Sequence, residues 1–138
     1  MAQTCKVQLT TRIPTLKARA ERQADEAIRQ TAQLVVDHAK ASMSGPKSGQ
    51  LYKRGKKMHR ASAPGEAPAV DTGNLVNSFS TARAGRLRYE IDVNAEYAPH
   101  LEFGTSRMAA RPFLRPALKA VEKTFYSLLS GIVRRGAR

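Results

Sequence analysis

YAPHLEFGTSRMAARPFLRPAL, residues 97–118, sets three prolines, a glycine and two phenylalanines between a strand pattern before it and a helix pattern after it. Pro99 suits the start of a short helical turn, because its fixed φ fits a first helical position and its missing N–H is not needed there. Gly104 can then take the left-handed conformation that ends such a turn. Leu101 and Phe103 are the apolar residues that would anchor the turn on a core. Arg111 precedes Pro112 and is biased to extended backbone, and Pro116 fits the first turn of the helix that follows. The stretch reads as a rigid corner of defined shape. On physical grounds alone its plainest role is to connect two elements.

Both flanks are periodic. Upstream, Leu87, Tyr89, Ile91 and Val93 alternate with Arg88, Glu90 and Asp92, the pattern of a strand with one face in and one face out. Ala84-Gly85-Arg86 predicts a turn, which with a first strand around residues 79–83 makes a hairpin spanning Phe79–Val93. Ahead of it, Asp71-Thr72-Gly73 is a turn and helix-start signal, whose side-chain oxygens can accept from the N–H groups that follow. A short helical turn through Leu75 and Val76 would link it to the hairpin. Downstream of the corner, Leu118, Val121, Phe125, Leu128, Leu129, Ile132 and Val133 trace an amphipathic helix. Arg134, Arg135 and Arg138 lie at its negative end, where cations are favoured.

The chain opens with a second such helix. Ile13, Leu16, Ala20, Ala24, Ala27, Ile28, Leu34, Val35 and His38 recur at three- and four-residue steps and predict a helix over 13–43. Thr11 would cap it, Pro14 suits its first turn, and Ser44-Gly45-Pro46 stops it. On that stripe His38 reads as a buried, hydrogen-bonded histidine. Some 30 residues make a helix of roughly 45 Å. A compact chain of this length is only about 28 Å across, taken as twice its radius of gyration. Either the helix projects onto a neighbouring subunit or it bends over its own core. The order is helix, loop, hairpin, corner, helix. It predicts one α+β domain over residues 1–138, a small antiparallel sheet packed by a long N-terminal and a C-terminal helix.

Charge is the strongest compositional fact, a formal +13 with a pI near 10.6, and it favours polyanionic partners. Nearly half of that excess falls in residues 45–60, which hold six cations and no acid. They belong to GPKSGQLYKRGKKMHRASAPGEAP, residues 45–68, whose glycines, prolines and serines read as a long flexible loop with at most a short edge strand at residues 50–53. Lys47, Lys53, Arg54, Lys56, Lys57 and Arg60 can neutralise phosphates with counterion release, and Tyr52, beside His59, could stack on an exposed base. The alternative is a solvated loop, since nothing in the sequence gathers these charges on one face.

Taken in order, the motifs resemble the signature of a family of neck proteins of long-tailed bacteriophages, described as tail-completion or head-tail joining components. The matching residues are Val70, Asp71, Thr72, Gly73 and Leu75, then Tyr97 and Ala98, then Glu102, Phe103, Gly104 and Thr105, then Pro112, Phe113, Leu114, Pro116 and Ala117. One departure is Ala69, which interrupts the family's proline-valine pair and leaves Pro68 a residue earlier. The resemblance spans about residues 44–138. It implies a structural virion protein at the head-tail junction, assembled in the host cytoplasm into a homo-oligomeric ring, a hexamer by analogy with sixfold tails. It also implies contacts with other neck and tail proteins, and makes the basic loop a candidate for lining the DNA channel or clasping an acidic surface of the adjoining ring.

Other classes find less support. The single Cys5 can make neither an internal disulfide nor a cysteine-based metal site, and reads as an incidental thiol near a loose terminus. No apolar run approaches the roughly 18 residues of a membrane span, and the opening MAQTCKVQLTTR lacks a signal-peptide core. Gly45-Pro-Lys-Ser-Gly49 lacks the spacing of a phosphate-binding loop. His38, His59 and His100 stand far apart, with no hydrolase or metalloprotease motif, and the grouped Glu96, His100 and Glu102 fall within the corner. We expect no enzyme activity, no cofactor, no metal and no membrane contact. A free basic nucleic-acid-binding protein is the alternative function, and a small basic nuclease or toxin a third.

Overall fold

The computed structural model describes Cys5–Thr10 and Ala18–Gly136. Thr11, Ile13, Pro14 and Leu16, expected to open the first helix, and Arg138 lie outside the described residues. The elements run β1 (Cys5–Thr10), α1 (Ala18–Ser44), β2 (Leu51–Arg54), β3 (Lys57–Arg60), α2 (Asn74–Asn77), β4 (Phe79–Gly85), β5 (Arg88–Val93), α3 (Ala98–Phe103) and α4 (Leu114–Gly136). The fold is α+β, as expected.

β1 comes from a stretch read as a loose terminus. Cys5, Val7 and Leu9 alternate with exposed Lys6, Gln8 and Thr10, and the strand pairs antiparallel with β5 from Cys5↔Val93 to Thr10↔Arg88. Cys5 is therefore half-buried against the core rather than an incidental surface thiol. Burial, and after it the charge of Glu102, push its thiol up from the usual range, so it stays protonated. The sheet order is β1-β5-β4, with the best-patterned strand at its centre.

The β4–β5 turn falls at Arg86-Leu87, one residue later than Ala84-Gly85-Arg86 predicts, and the register shifts between Arg83 and Gly85. Leu87 adopts φ 53°, a left-handed conformation that costs about 1 kcal/mol. Its side chain is buried against Ala24 and Ile28 of α1, and burial of a leucine returns about 2 kcal/mol.

One face of the sheet packs on α1 and α4. Ile91, Val93, Phe113, Leu114 and Val121 meet Ala32, Val35, Val36, Ala39 and Met43 in the main core. α1 is about 40 Å long and α4 about 35 Å. They lie antiparallel, since Ala20 and Ala27 near the start of α1 pack on Leu128 and Ile132 near the end of α4. The long helix is thus accommodated by a second helix laid along it. Its buried stripe also departs from the expected one: Val36, Ala39 and Met43 face inward, while Leu34 is 42% exposed. His38 is exposed as well, correcting the expectation of a buried histidine. Leu34 and His38 are one turn apart and border an open groove with Ala120, Val121 and Thr124 of α4.

Candidate functional site

The basic segment is a hairpin, not a flexible loop. Gly55 takes φ 61° as the first residue of a two-residue turn, the position that a type II′ hairpin reserves for glycine. Leu51↔Arg60, Tyr52↔His59, Lys53↔Met58 and Arg54↔Lys57 face one another across the ladder. At its base Gly49 donates to the Ala61 carbonyl at 3.0 Å, so close that a Cβ on Gly49 would collide with that oxygen. Glu66 closes the base, accepting from the Ser48 hydroxyl, the Ser48 N–H (3.2 Å) and the Ala63 N–H (2.8 Å). The Ser48 hydroxyl, then the two N–H groups, hold its carboxyl down at about 2.

Pairing register divides the hairpin into two faces. Tyr52, Arg54, Lys57 and His59 share one, and the Tyr52 and His59 rings stack with centroids 5.9 Å apart. Leu51, Lys53, Met58 and Arg60 share the other. Arg54 pairs with Asp71, fastening the first face to the Asp71-Thr72-Gly73 turn. Asp71 is thereby spent on the hairpin, and the helix-start role falls to its neighbours. Gly73, at φ 79°, is the residue before α2, and the Thr72 hydroxyl accepts from the Asn74 N–H at 3.4 Å.

The corner is organised by one buried carboxylate. Glu102, only 1% exposed, accepts from the N–H groups of Phe113 (2.9 Å), Leu114 (3.0 Å) and Arg115 (3.0 Å). These are orphan donors of the first turn of α4, where a negative charge is also favoured by the helix dipole. Arg115 adds its Nε at 3.3 Å and lies over the Phe103 ring at 4.9 Å. Phe103 itself is 64% exposed, so it does not anchor the turn on the core as expected; the anchors are Leu101 and, across the loop, fully buried Phe113. Phe113 meets Phe79 edge-on at 5.9 Å. Gly104 ends α3 with φ 77° and ψ 177°, an extended mirror-image conformation rather than the left-handed helical one. A Cβ there would lie 2.9 Å from both Ala110 N and Met108 O. Thr105 exchanges backbone hydrogen bonds with Met108, half-buried Pro112 leads into α4, and Pro116 occupies its first turn as expected.

Hairpin, turn and corner meet around a hollow of about 330 Å³. Tyr52, Val70, Asp71, Tyr97, Leu101 and Arg111 are among its lining, with Met43 and Leu75 as buried contributors. Tyr97 accepts from the Asn74 side chain at 3.4 Å across it. Of the residues singled out in the sequence, Tyr52, Asp71, Thr72, Gly73, Leu75 and Tyr97 come together here. Lys47 turns away and donates to the Ser42 carbonyl at 2.6 Å, and Arg60 donates to the Gly49 carbonyl. Lys53, Lys56 and Lys57 are exposed on the hairpin, and Glu102, Gly104 and Phe113 shape the corner beneath. Sequence reasoning passed over Glu66 and Arg111. Glu66 was signalled by being the lone acid just after the basic run; Arg111 was read for its backbone only.

Among the described residues no cluster of three His, Cys, Asp or Glu side chains could hold a metal ion, and no helix is long and apolar enough to cross a membrane. The arrangement sets a hollow lined largely by apolar groups beside an exposed basic hairpin.

The α+β scaffold thus spends its buried carboxylate on shaping a corner and exposes a basic hairpin. The chain belongs to the HK97-gp10-like family, described as "Bacteriophage HK97-gp10, putative tail-component", whose profile matches residues 8–104. Membership makes it a phage tail-associated structural component. No curated protein and no solved structure matches the chain. The matched span runs from Gln8, within β1, through α3 and takes in the hairpin, the turn and the corner up to Gly104.

Proposed function

We propose that this protein completes the phage tail, or joins it to the DNA-filled head, as a subunit of a ring in the neck. The observation that carries this reading is the open edge at β4, one of the two terminal strands of the sheet. Among the described residues β4 pairs only with β5, and Ser80–Gly85 are exposed on both faces. Natural edge strands are usually blunted by lysine, proline or a covering element. β4 carries Ser80, Thr81, Ala82 and Ala84, and its one charge, Arg83, leans on Asp25 at 3.2 Å. Such an edge accepts a strand from a neighbouring copy, and a head-to-tail contact of this kind closes a ring when its rotation closes. The hairpin and corner then present their surface to the adjoining layer. The basic hairpin, now a fixed scaffold for Lys53, Lys56 and Lys57, also supports the second reading, a free nucleic-acid-binding protein.

Electron microscopy of a lysate from the phage with this gene interrupted by a stop codon separates them. Filled heads beside unattached or misfinished tails are the expected outcome. Normal, infectious particles would remove the joining role and leave the nucleic-acid reading.

A further inference from the structure

Tyr52, Val70 and Tyr97 are 40, 41 and 41% exposed, unusually open for large apolar side chains, and all three line the one hollow. Leu51 (54%) and Met58 (62%) stand on the other face of the same hairpin. Exposed apolar groups gathered in this way, rimmed by charge, mark interaction surfaces. The balance of charge at the hollow is cationic: Arg111 is the one cation in its lining and its Nε is buried without a hydrogen-bond partner, the one acid there, Asp71, is neutralised by Arg54, and Lys57 shares the Tyr52 face of the hairpin. An apolar socket with that balance of charge fits an apolar side chain flanked by carboxylates.

We infer that this hollow docks an extended acidic segment of a partner protein, seating one apolar side chain between Tyr52, Val70 and Tyr97. That the partner is another tail protein rests on the assembly role proposed above; the chemistry of the segment does not. Nucleic acid is a poorer fit. One side of the Tyr52 ring that a base would stack on is already taken by His59, and exposed Val70 has no complement on a phosphate backbone. A second copy is also a poorer fit. Of the chain's eleven acids, Glu21, Asp25, Glu26, Asp71, Glu90, Asp92 and Glu102 each already hold an arginine or lysine of the same chain.

The test is affinity selection by the full-length protein from a synthetic library of short peptides, each carrying three acidic residues around one variable central position, with the lysine-for-acid library as control. Acidic peptides with a central Leu, Ile, Met or Phe should be retained at least about tenfold over those with Ser or Gly, the effect of burying one apolar side chain. Val70→Asp should abolish retention, and Tyr126→Ser, exposed on α4, should leave it unchanged. Tyr97→Ser reads the same socket should Val70→Asp fail to fold. Several results would overturn the inference. They are retention of no acidic peptide, retention set by charge whatever the central residue, displacement of every peptide by oligothymidylate, or self-association that Val70→Asp abolishes. Because the readout is on isolated protein, it can fail while the stop-codon phenotype stands, and the reverse.

Discussion

Glu102 is the residue on which the corner depends. It lies in a six-residue helix yet serves the first turn of α4, eleven to thirteen positions later. Glu102→Ala leaves three N–H groups without their acceptor and should lower stability by about 3 kcal/mol, while Glu102→Gln keeps one acceptor oxygen and should cost about half as much. In a chain of this size the first loss corresponds to a fall of roughly 10 °C in melting temperature. Equal melting curves for wild type and both variants would mean that α4 is capped by some other group. Gly104 offers a companion comparison with Gly65, which has φ 84° but open space where a Cβ would be. Gly65→Ala should cost about 1 kcal/mol from its backbone conformation alone. Gly104→Ala adds a clash with the backbone of Met108 and Ala110 and should cost about 3 kcal/mol. Chemical denaturation of the two variants checks the difference; equal losses would assign the whole effect to φ. The requirement for a glycine at 104 was legible in the sequence. The role of Glu102 was not, because its partners become neighbours only when the corner closes.

At the scale of elements the β2–β3 hairpin is the one whose character changed most. A two-stranded hairpin is marginal alone in water. This one is fastened at both ends of its body-facing side: at the base by Glu66 and along one face by the Arg54–Asp71 pair. Neither fastening can be read from residues 45–60, since both acids lie outside that run. Gly55 was a turn signal in plain view, but the glycine- and serine-rich surroundings masked the strands on either side. The Glu66 clamp has a pH signature. Its carboxyl is held at about 2 in the folded chain, from an ordinary 4.5, so the clamp's contribution is fully present above about pH 4.5 and disappears as pH falls through 2. Amide signals of Ser48 and Ala63 should hold their folded positions from pH 7 to pH 4 and move only below about pH 3. In Glu66→Gln that movement should vanish; a transition centred near pH 4.5 in the wild type would show that the clamp is not formed in solution.

For the whole molecule, the ring proposed above rests on the open edge of β4. Thr81→Lys combined with Ala82→Lys places two charges on an edge whose residues are already solvent-exposed, so the monomer should fold normally. Light scattering after size exclusion should find the wild type as a closed oligomer at assembly concentrations and the double variant as a monomer. An unchanged oligomer, or a wild type that is monomeric throughout, would remove the edge from the ring contact.

Periodicity by itself determined the α+β class, the β4–β5 hairpin, the terminal helices and the proline-bounded corner, because alternation, three- and four-residue spacing and the fixed φ of proline act over a few neighbouring residues. The concentration of charge in residues 45–60 was equally a property of the chain alone. Tertiary structure decided what depends on contacts between distant segments. β1 became a strand because β5, paired from Cys5↔Val93 to Thr10↔Arg88, offered it a partner from the far half of the chain. His38 and Leu34 turned outward because α4 and the sheet claimed the neighbouring stripe of α1. The hollow exists only where the hairpin, the Asp71-Thr72-Gly73 turn and the corner are folded against one another.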